Sequence, residues 1–446
     1  MKKLLILAYD FPPYVSVGGL RPYAWYKYFH EFDVFPVVVT RQWGNKYGNN
    51  LDYIAPSETN STIIENSEKG IIIRTPYKPN LANKLMLKYG ENKYKFLRKL
   101  ISAYYEFFQW FFFIGPKSEL YFASKEYLKS NKVDAIIATG DPFILFKYAS
   151  KLSNIYNIPW IADFRDAWTH NKNNSFNNLI KILNKLLEKK ILKNSNAIST
   201  VSTFIKAKTI RLVKDKSFYI IPNGFDYEAI EQANEINQVK NILNIAFVGT
   251  IYNWHPIRSF ISVISNFLNK NPSAKLQLNF YGINITSELN EMVSTEFPNI
   301  EQNINIYPNT PNNVLLQELA KNNLMLLFNY YSFMGTKIYD YLAIKRTILL
   351  CYSNDKEALQ LKEKYYNIEE EDEYSHHLQE DLIKKTDSGY IVQNSEHLLI
   401  LLEKLYKEFT ETGQIKCNTK NIEKYSRKYQ TEKLAEIIKN FRVSGF

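Results

Sequence analysis

Along this chain of 446 residues, short apolar runs are each closed by a polar, glycine- or proline-bearing turn and followed by a stretch with helical spacing. A continuous apolar run of roughly four to eight residues is what a parallel strand buried on both faces requires. Leu4 to Ala8 is the first such run. It ends in Tyr9-Asp10-Phe11-Pro12-Pro13 and passes Gly18-Gly19 into a helix predicted from about Leu20 to Phe32. Phe35 to Thr40 and Ile71-Ile72-Ile73 predict further strands, with the polar, Asn-rich stretch 41–70 between them read as a surface excursion. From Val133 the alternation is regular. Strands are predicted at Ala135 to Ala138, Pro159 to Ala162, Ala197 to Val201 and Phe218 to Ile221. Helices lie between them, one reaching about Tyr156 and one from Asn177 to Leu192; Ser202-Thr203 caps the next. After a polar linker near 228–240 the pattern restarts with strands Asn244 to Val248, Leu276 to Tyr281, Ile304 to Tyr307, Leu324 to Phe328 and Thr347 to Tyr352. Helices from about Pro256 to Asn269 and Pro311 to Lys321 intervene. Such alternation predicts an α/β chain of two doubly wound, Rossmann-like domains, 1–228 and 240–425. A closing segment, 426–446, carries a helix from about Thr431 to Phe441 with Leu434, Ile437, Ile438 and Phe441 on one face. That stripe has to bury against something.

Glycines and charges fall at the C-terminal ends of the predicted strands, where doubly wound sheets bind ligands. In Phe333-Met334-Gly335-Thr336-Lys337-Ile338-Tyr339-Asp340, Gly335 allows close backbone approach and the helix start behind it offers unpaired N–H groups to a phosphate. Lys337 adds charge, and Asp340 sits one turn on, where a carboxylate can accept both hydroxyls of a ribose. The alternative is an ordinary i,i+3 surface pair between Lys337 and Asp340. Gly18-Gly19 offers either close ligand approach or a plain turn. Gly140-Asp141-Pro142 and Asp163, Arg165 and Asp166 converge at one sheet edge, as a site or with Arg165 and Asp166 as a buried structural ion pair.

Charge sharpens this picture. Residues 1–220 carry 33 Lys and Arg against 17 Asp and Glu, the remainder 23 against 28, giving +16 and −5 and a total of +11. The first half therefore suits an anionic partner: nucleic acid, an acidic membrane surface or a diphosphate-linked acceptor. Within it, Lys84, Lys88, Lys93, Lys95, Arg98 and Lys99 lead into the aromatic run Tyr104 to Phe113. The stretch 84–115 reads either as an interfacial membrane helix or as an ordinary helix packed on the sheet. Glu369 to Glu373 reads as a solvated acidic loop. Only Cys351 and Cys417 are present, far apart, which fits a reducing cytoplasm and excludes a disulfide framework or thiolate metal site. Six histidines form no HExxH pattern, and the sequence predicts no metal site. The opening apolar run stops at Asp10 and Pro12-Pro13, so it is read as a strand and not a leader. No run is long enough to cross a bilayer as a helix.

Several segments together resemble family-4 (group 1) glycosyltransferases of the bacterial polysaccharide-assembling type. They are Phe11-Pro12-Pro13 with Gly18-Gly19 and Arg21; Ile221-Pro222-Asn223-Gly224-Phe225-Asp226; Phe247-Val248-Gly249-Thr250; and Lys337-Ile338-Tyr339-Asp340-Tyr341-Leu342-Ala343. The loop Asp166-Ala167-Trp168 and the closing Tyr425-Ser426-Arg427 add to the likeness, which spans essentially the whole chain. The resemblance implies the GT-B architecture, two Rossmann-like domains with parallel sheets facing across a cleft, the C-terminal helix returning to the first. It implies a metal-independent, retaining transferase that needs no cofactor and moves a sugar from a nucleotide-diphosphate donor, a UDP-sugar first, to a hydroxyl of a glycan or polyprenyl-diphosphate-linked acceptor. Donor contacts fall to Gly249, Thr250, Arg258, Gly282, Gly335, Thr336, Lys337 and Asp340. Gly18, Gly19, Arg21 and Asp141 face the acceptor, and Arg165 and Asp166 are the catalytic candidates. An anionic membrane surface at 84–115 is a further candidate partner, nucleic acid is not, and a cytoplasmic, membrane-peripheral location follows. The sequence departs from the family pattern at Ser332, where a carboxylate is usual, at Asp340 in place of glutamate, and in Ile251 to Pro256, which lacks the usual diphosphate-binding cations. A nucleotide-sugar epimerase of the same architecture and a non-catalytic basic membrane-docking protein are the competing readings.

Overall fold

The computed structural model describes residues 1–44, 50–169, 178–366 and 374–441, so the acidic stretch 369–373 lies outside the described residues. The chain forms two compact units, Met1–Asn223 together with Arg427–Phe446, and Gly224–Ser426. The boundary falls before the stretch read as a linker. Asp226 caps a helix, Tyr227–Asn234, by accepting from the Glu228 N–H, and Ile230 and Ala233 bury one face of it. A capped helix with an apolar face is a poor linker.

The first unit has an eight-stranded sheet: β1 Lys2–Leu7, β2 Val34–Arg41, β3 Ile63–Ser67, β4 Gly70–Thr75, β5 Ala135–Gly140, β6 Trp160–Phe164, β7 Ala197–Thr200 and β8 Ser217–Ile220. Their order is β3-β4-β2-β1-β5-β6-β7-β8, parallel throughout except for β3 against β4. Stretch 41–70 is thus more than an excursion. It contributes an edge strand whose five residues are all exposed, which is why no apolar run announces it. β1 registers Leu4 on Ala135 of β5 and on Pro36 of β2, so strand order runs outward from β1 on both sides of the sheet. That reversal of strand order is where a doubly wound sheet opens a crevice at its C-terminal edge. The C-terminal helix Arg427–Asn440 belongs here. Leu434, Ala435 and Ile438 join a cluster with Trp25, Phe29 and Leu4. Leu434 and Ile438, fully buried, contribute about 1.5–3 kcal/mol each.

The second unit holds β9 Leu243–Val248, β10 Leu276–Tyr281, β11 Ile304–Tyr307, β12 Leu324–Phe328, β13 Thr347–Cys351 and β14 Gly389–Val392. Their order, β11-β10-β9-β12-β13-β14, is all parallel and repeats the dinucleotide-fold sequence 3-2-1-4-5-6. Side chains alternate cleanly: Ile245 and Phe247 enter one core cluster, Ala246 and Val248 the other. Both faces being apolar explains the unbroken hydrophobic runs. Here the reversal lies between β9 and β12.

Candidate functional site

In the first unit the loops leaving β1, β5 and β6 meet at the reversal point. Ser16 caps the helix Val17–Tyr28, which begins earlier than the sequence predicts, so Gly18-Gly19 lies in its first turn. Ser16 Oγ accepts from the Gly18 N–H at 3.0 Å and donates to Asp10 Oδ2 at 2.9 Å. Arg165 donates from Nε to the Gly140 carbonyl at 3.2 Å and from Nη2 to the Asp141 carbonyl, which pins the β5 and β6 loops together. Gly18 is required by this arrangement: a Cβ there would stand 2.2 Å from Arg165 Nη1 and 2.5 Å from Asp10 Oδ2. A Cβ at Gly19 would press less severely, 3.3 Å from the Phe11 backbone nitrogen.

Three carboxylates share this edge. Burial raises the Asp10 carboxyl above its ordinary value; Arg165 and the Ser16 hydroxyl pull it down and Asp141 pushes it up again. Its Oδ1 is buried without a partner. Asp166 keeps a solvent-facing edge although the protein surrounds most of it. Desolvation raises its pKa, Arg165 opposing and Asp141 reinforcing the rise. Asp141 and Asp166 line a cavity of about 430 Å³ with Trp110, Phe143 and Trp168. Trp168 is stacked between Phe143, at 5.2 Å and 4°, and Trp110, at 4.9 Å and 21°. Sequence reasoning missed Asp10, although it sits in the quoted Asp10-Phe11-Pro12-Pro13 turn. The aromatic wall could have been anticipated only by knowing that 103–110 folds back on 141–168.

Arg21, read as an acceptor contact, is corrected by the structure. It is buried, and its guanidinium grips Asp163 with Nε and Nη2 at 3.0 and 2.7 Å while Nη1 donates to the Ile221 and Pro222 carbonyls. The buried ion pair of this unit is therefore Arg21–Asp163, not Arg165 with Asp166. Asp163 lies inside β6 and has no solvent to lose to a ligand, which is why it recruits an internal cation.

In the second unit the ends of β9, β10 and β12 carry the remaining candidates. Gly249 has φ +95° and open space where a Cβ would project; Gly282 has φ +60°, with Asn309 Oδ1 2.3 Å from that position. Both conformations are costly for other residues. Thr250 is exposed beside Gly249. The helix predicted after Gly335 is short, Lys337–Ala343, and Thr336 precedes it without a side-chain cap. Lys337 Nζ reaches Asp340 Oδ2 at 3.5 Å, so the i,i+3 pair forms, with Asp340 nearly enclosed and Lys337 half-buried. Gly335 has ordinary room for a Cβ, 3.8 Å from Gln379 Nε2 and from Tyr330. Neither packing nor backbone geometry there demands glycine. Arg258 sits in an exposed pair with Glu296 at 2.6 Å, which draws the nearest cation after β9 towards the helix Thr286–Glu296.

Three N–H groups near this edge were not anticipated. Gln379 is fully buried; its Oε1 accepts from the Tyr330 N–H at 2.7 Å, which fixes the amide orientation and leaves Nε2 facing Gly335 without a partner. His255 packs on Phe328 and Tyr330, its Nδ1 accepts from the Tyr252 N–H, and burial drives its pKa down to about 3. It is thus neutral with the proton on Nε2, and neither that nitrogen nor Trp254 Nε1 has a partner. Buried donors left unpaired cost about 1–3 kcal/mol each. Among the described residues no group of His, Cys, Asp or Glu could hold a metal ion.

No protein-family model and no curated protein matches the sequence. Solved structures do match over nearly the full length. A sucrose-phosphate synthase from Thermosynechococcus elongatus aligns with TM-score 0.60 and 12% identity over 98% of each chain. A trehalose-6-phosphate structure from E. coli bound with UDP-2-fluoro glucose gives TM-score 0.60 and 11% identity over 99% of each chain. HepE of Anabaena in complex with UDP-glucose gives 0.51 and 12% over 99% of this chain and 100% of that one. At these identities the likeness concerns the fold. The chain has the GT-B glycosyltransferase fold.

Proposed function

We propose that this protein is a retaining glycosyltransferase that moves a sugar from a nucleotide diphosphate, a UDP-sugar first, to an acceptor hydroxyl without metal or cofactor. The observation that carries the reading is the gathering of Gly249, Gly282, Gly335, Lys337 and Asp340 at the strand ends beside the β9/β12 reversal, where this topology receives nucleotides. Neighbours of the same fold with UDP-glucose or UDP-2-fluoro glucose bound support it. Asp340 would release Lys337 and take the ribose hydroxyls, while Lys337 and the Gln379 amide turn to the diphosphate. In the transfer the acceptor oxygen bonds to the anomeric carbon. The bond from that carbon to the diphosphate oxygen breaks with its electron pair, and the acceptor proton passes to the departing diphosphate. Preorganised N–H groups aimed at that leaving oxygen stabilise the charge that develops. Asp166 orients the acceptor hydroxyl. Surface-polysaccharide assembly at the cytoplasmic face of a membrane is the setting that this reading favours.

Thermal melting with UDP, GDP, CDP and ADP is the direct test. One nucleotide at a hundredfold excess over its Kd is expected to add about 2.7 kcal/mol to stability. Asp340→Ala is expected to abolish that gain. A flat response to all four in the wild type would remove the donor site and, with it, the transferase reading.

The membrane part rests on the helix Lys95–Phe108, which has no buried residue. It exposes Phe96, Leu97, Leu100, Tyr104 and Phe107, with Phe111 and Phe112 beyond, while Lys84, Lys88, Lys93, Lys95 and Lys99 are also exposed. An ordinary core helix would bury such a face. Among the described residues no helix is long and apolar enough to cross a membrane. Co-sedimentation with vesicles containing phosphatidylserine is expected to be at least ~10-fold stronger than with neutral vesicles, and to weaken with added salt, since each basic residue near such a surface contributes about 1 kcal/mol. Equal binding to both vesicle types would refute it.

A further inference from the structure

The helix Asn178–Leu192 buries Glu188, Ile191 and Leu192, three positions on one face, two carrying the aliphatic side chains such a face calls for and one an acid. Glu188 is 1% exposed, and enclosing a carboxyl so completely is costly unless its oxygens are hydrogen-bonded. Burial raises its pKa to about 7 even though two bonds from Thr169 and the charge of Lys185 pull it down. Both bonds end on Oε2, which accepts the Thr169 N–H at 3.3 Å and the Thr169 hydroxyl. A single oxygen therefore ties this helix to the chain 19 residues earlier. A proton on Oε1 would leave both bonds in place, so the hold does not depend on the charge.

Thr169 lies in the loop that leaves β6 through Arg165, Asp166, Ala167 and Trp168, and Asp166, Trp168 and Thr169 line the same cavity. Asp166 has no hydrogen bond of its own to a described residue, so its place is set by what grips the loop on either side. Before it, Arg165 donates to the Gly140 and Asp141 carbonyls. After it, Trp168 is stacked between Phe143 and Trp110, and Thr169 is held by Glu188. Resting on the assignment of Asp166 to the acceptor hydroxyl, we propose that Glu188 is a positioning residue for the transfer. It clamps Thr169 and thereby fixes Asp166 at the reacting edge, taking no part in the chemistry itself. A displacement of about 1 Å at such a group is enough to cost a large factor in rate, which is what a buried clamp three residues away prevents.

Hydrogen exchange of the full-length protein, read by mass spectrometry over residues 165–169, tests the clamp without any ligand. Glu188→Leu suits a face that already carries Ile191 and Leu192, so the helix keeps its packing while Thr169 loses both bonds. It is expected to speed exchange in the loop at least ~10-fold, with β5 and β7 unchanged. Glu188→Gln keeps an oxygen for Thr169 and is expected to stay within about twofold of the wild type. The second arm measures UDP release from UDP-glucose. Glu188→Leu is expected to lower kcat about tenfold with the KM for UDP-glucose unchanged, and to add no further loss to Asp166→Asn, because a residue that acts through another gives non-additive effects. Wild-type exchange in Glu188→Leu overturns the proposal, as do losses that multiply in the double variant. Equal loosening in the Gln and Leu variants also overturns it, since the hold on Thr169 would then not be the cause. The transferase reading fails separately, by a flat nucleotide melt, which reads Gly224–Ser426 and leaves the exchange result standing.

Discussion

Arg21→Met is expected to lower the free energy of unfolding by about 3–5 kcal/mol, because it strands a buried carboxylate. Asp163 is completely enclosed, and besides Arg21 it accepts from Thr139 Oγ1 at 2.9 Å and Ser199 Oγ at 2.7 Å. Two hydroxyls soften the loss of the guanidinium but cannot neutralise the charge. The same substitution frees the Ile221 and Pro222 carbonyls, so the end of the first unit loses its tether as well. Asp163→Leu combined with Arg21→Met removes both charges, and the double variant is expected to be more stable than Arg21→Met alone. Urea unfolding of the four proteins measures this cycle. A loss below ~1 kcal/mol in Arg21→Met would show that water reaches Asp163 and that the pair is not structural.

Asp166→Asn is expected to slow transfer by about 10²-fold while nucleotide stabilisation persists, the loss typical when a group that positions a reacting atom is removed. The pH profile carries the same information. Asp166 has its carboxyl raised by desolvation and by Asp141, and in the proposed transfer it would serve the acceptor as a carboxylate. Wild-type activity should therefore fall as pH drops through a value above that of an ordinary aspartate, and the residual activity of Asp166→Asn should lack that acid limb. Asp10 is raised for similar reasons and lies on the same edge, so the limb must vanish in Asp166→Asn for the assignment to stand. Near-normal turnover in that variant removes Asp166 from the mechanism.

Central strands were legible because burial on both faces writes itself into the sequence: Leu276–Tyr281 and Leu324–Phe328 coincide with the predicted runs. The exposed edge strand Ile63–Ser67 and the helix Tyr227–Asn234 were not, since an edge strand and a polar amphipathic helix look like loops when only apolar density is weighed. The glycines expected at strand ends are there, Gly249 and Gly282 following β9 and β10 with positive φ. What they could not reveal is which charges were already taken. Arg21 and Arg258 are cations by sequence, but internal or surface carboxylates hold them, a fact set by contacts across 142 and 38 residues of chain. Gln379, His255 and Trp254 escaped for the converse reason: nothing local distinguishes an amide, imidazole or indole that packing leaves with a spare N–H.

The return of Arg427–Asn440 to the first unit also sets an order of events during synthesis. Trp25 and Phe29 cannot be covered by Leu434 and Ile438 until the ribosome has passed residues 427–440, whereas Gly224–Ser426 is a single uninterrupted stretch. At about 5–20 residues per second, the first half waits on the order of ten to forty seconds for its final layer. The half made first is thus finished last, and until then its unshielded apolar face is a natural client for a chaperone.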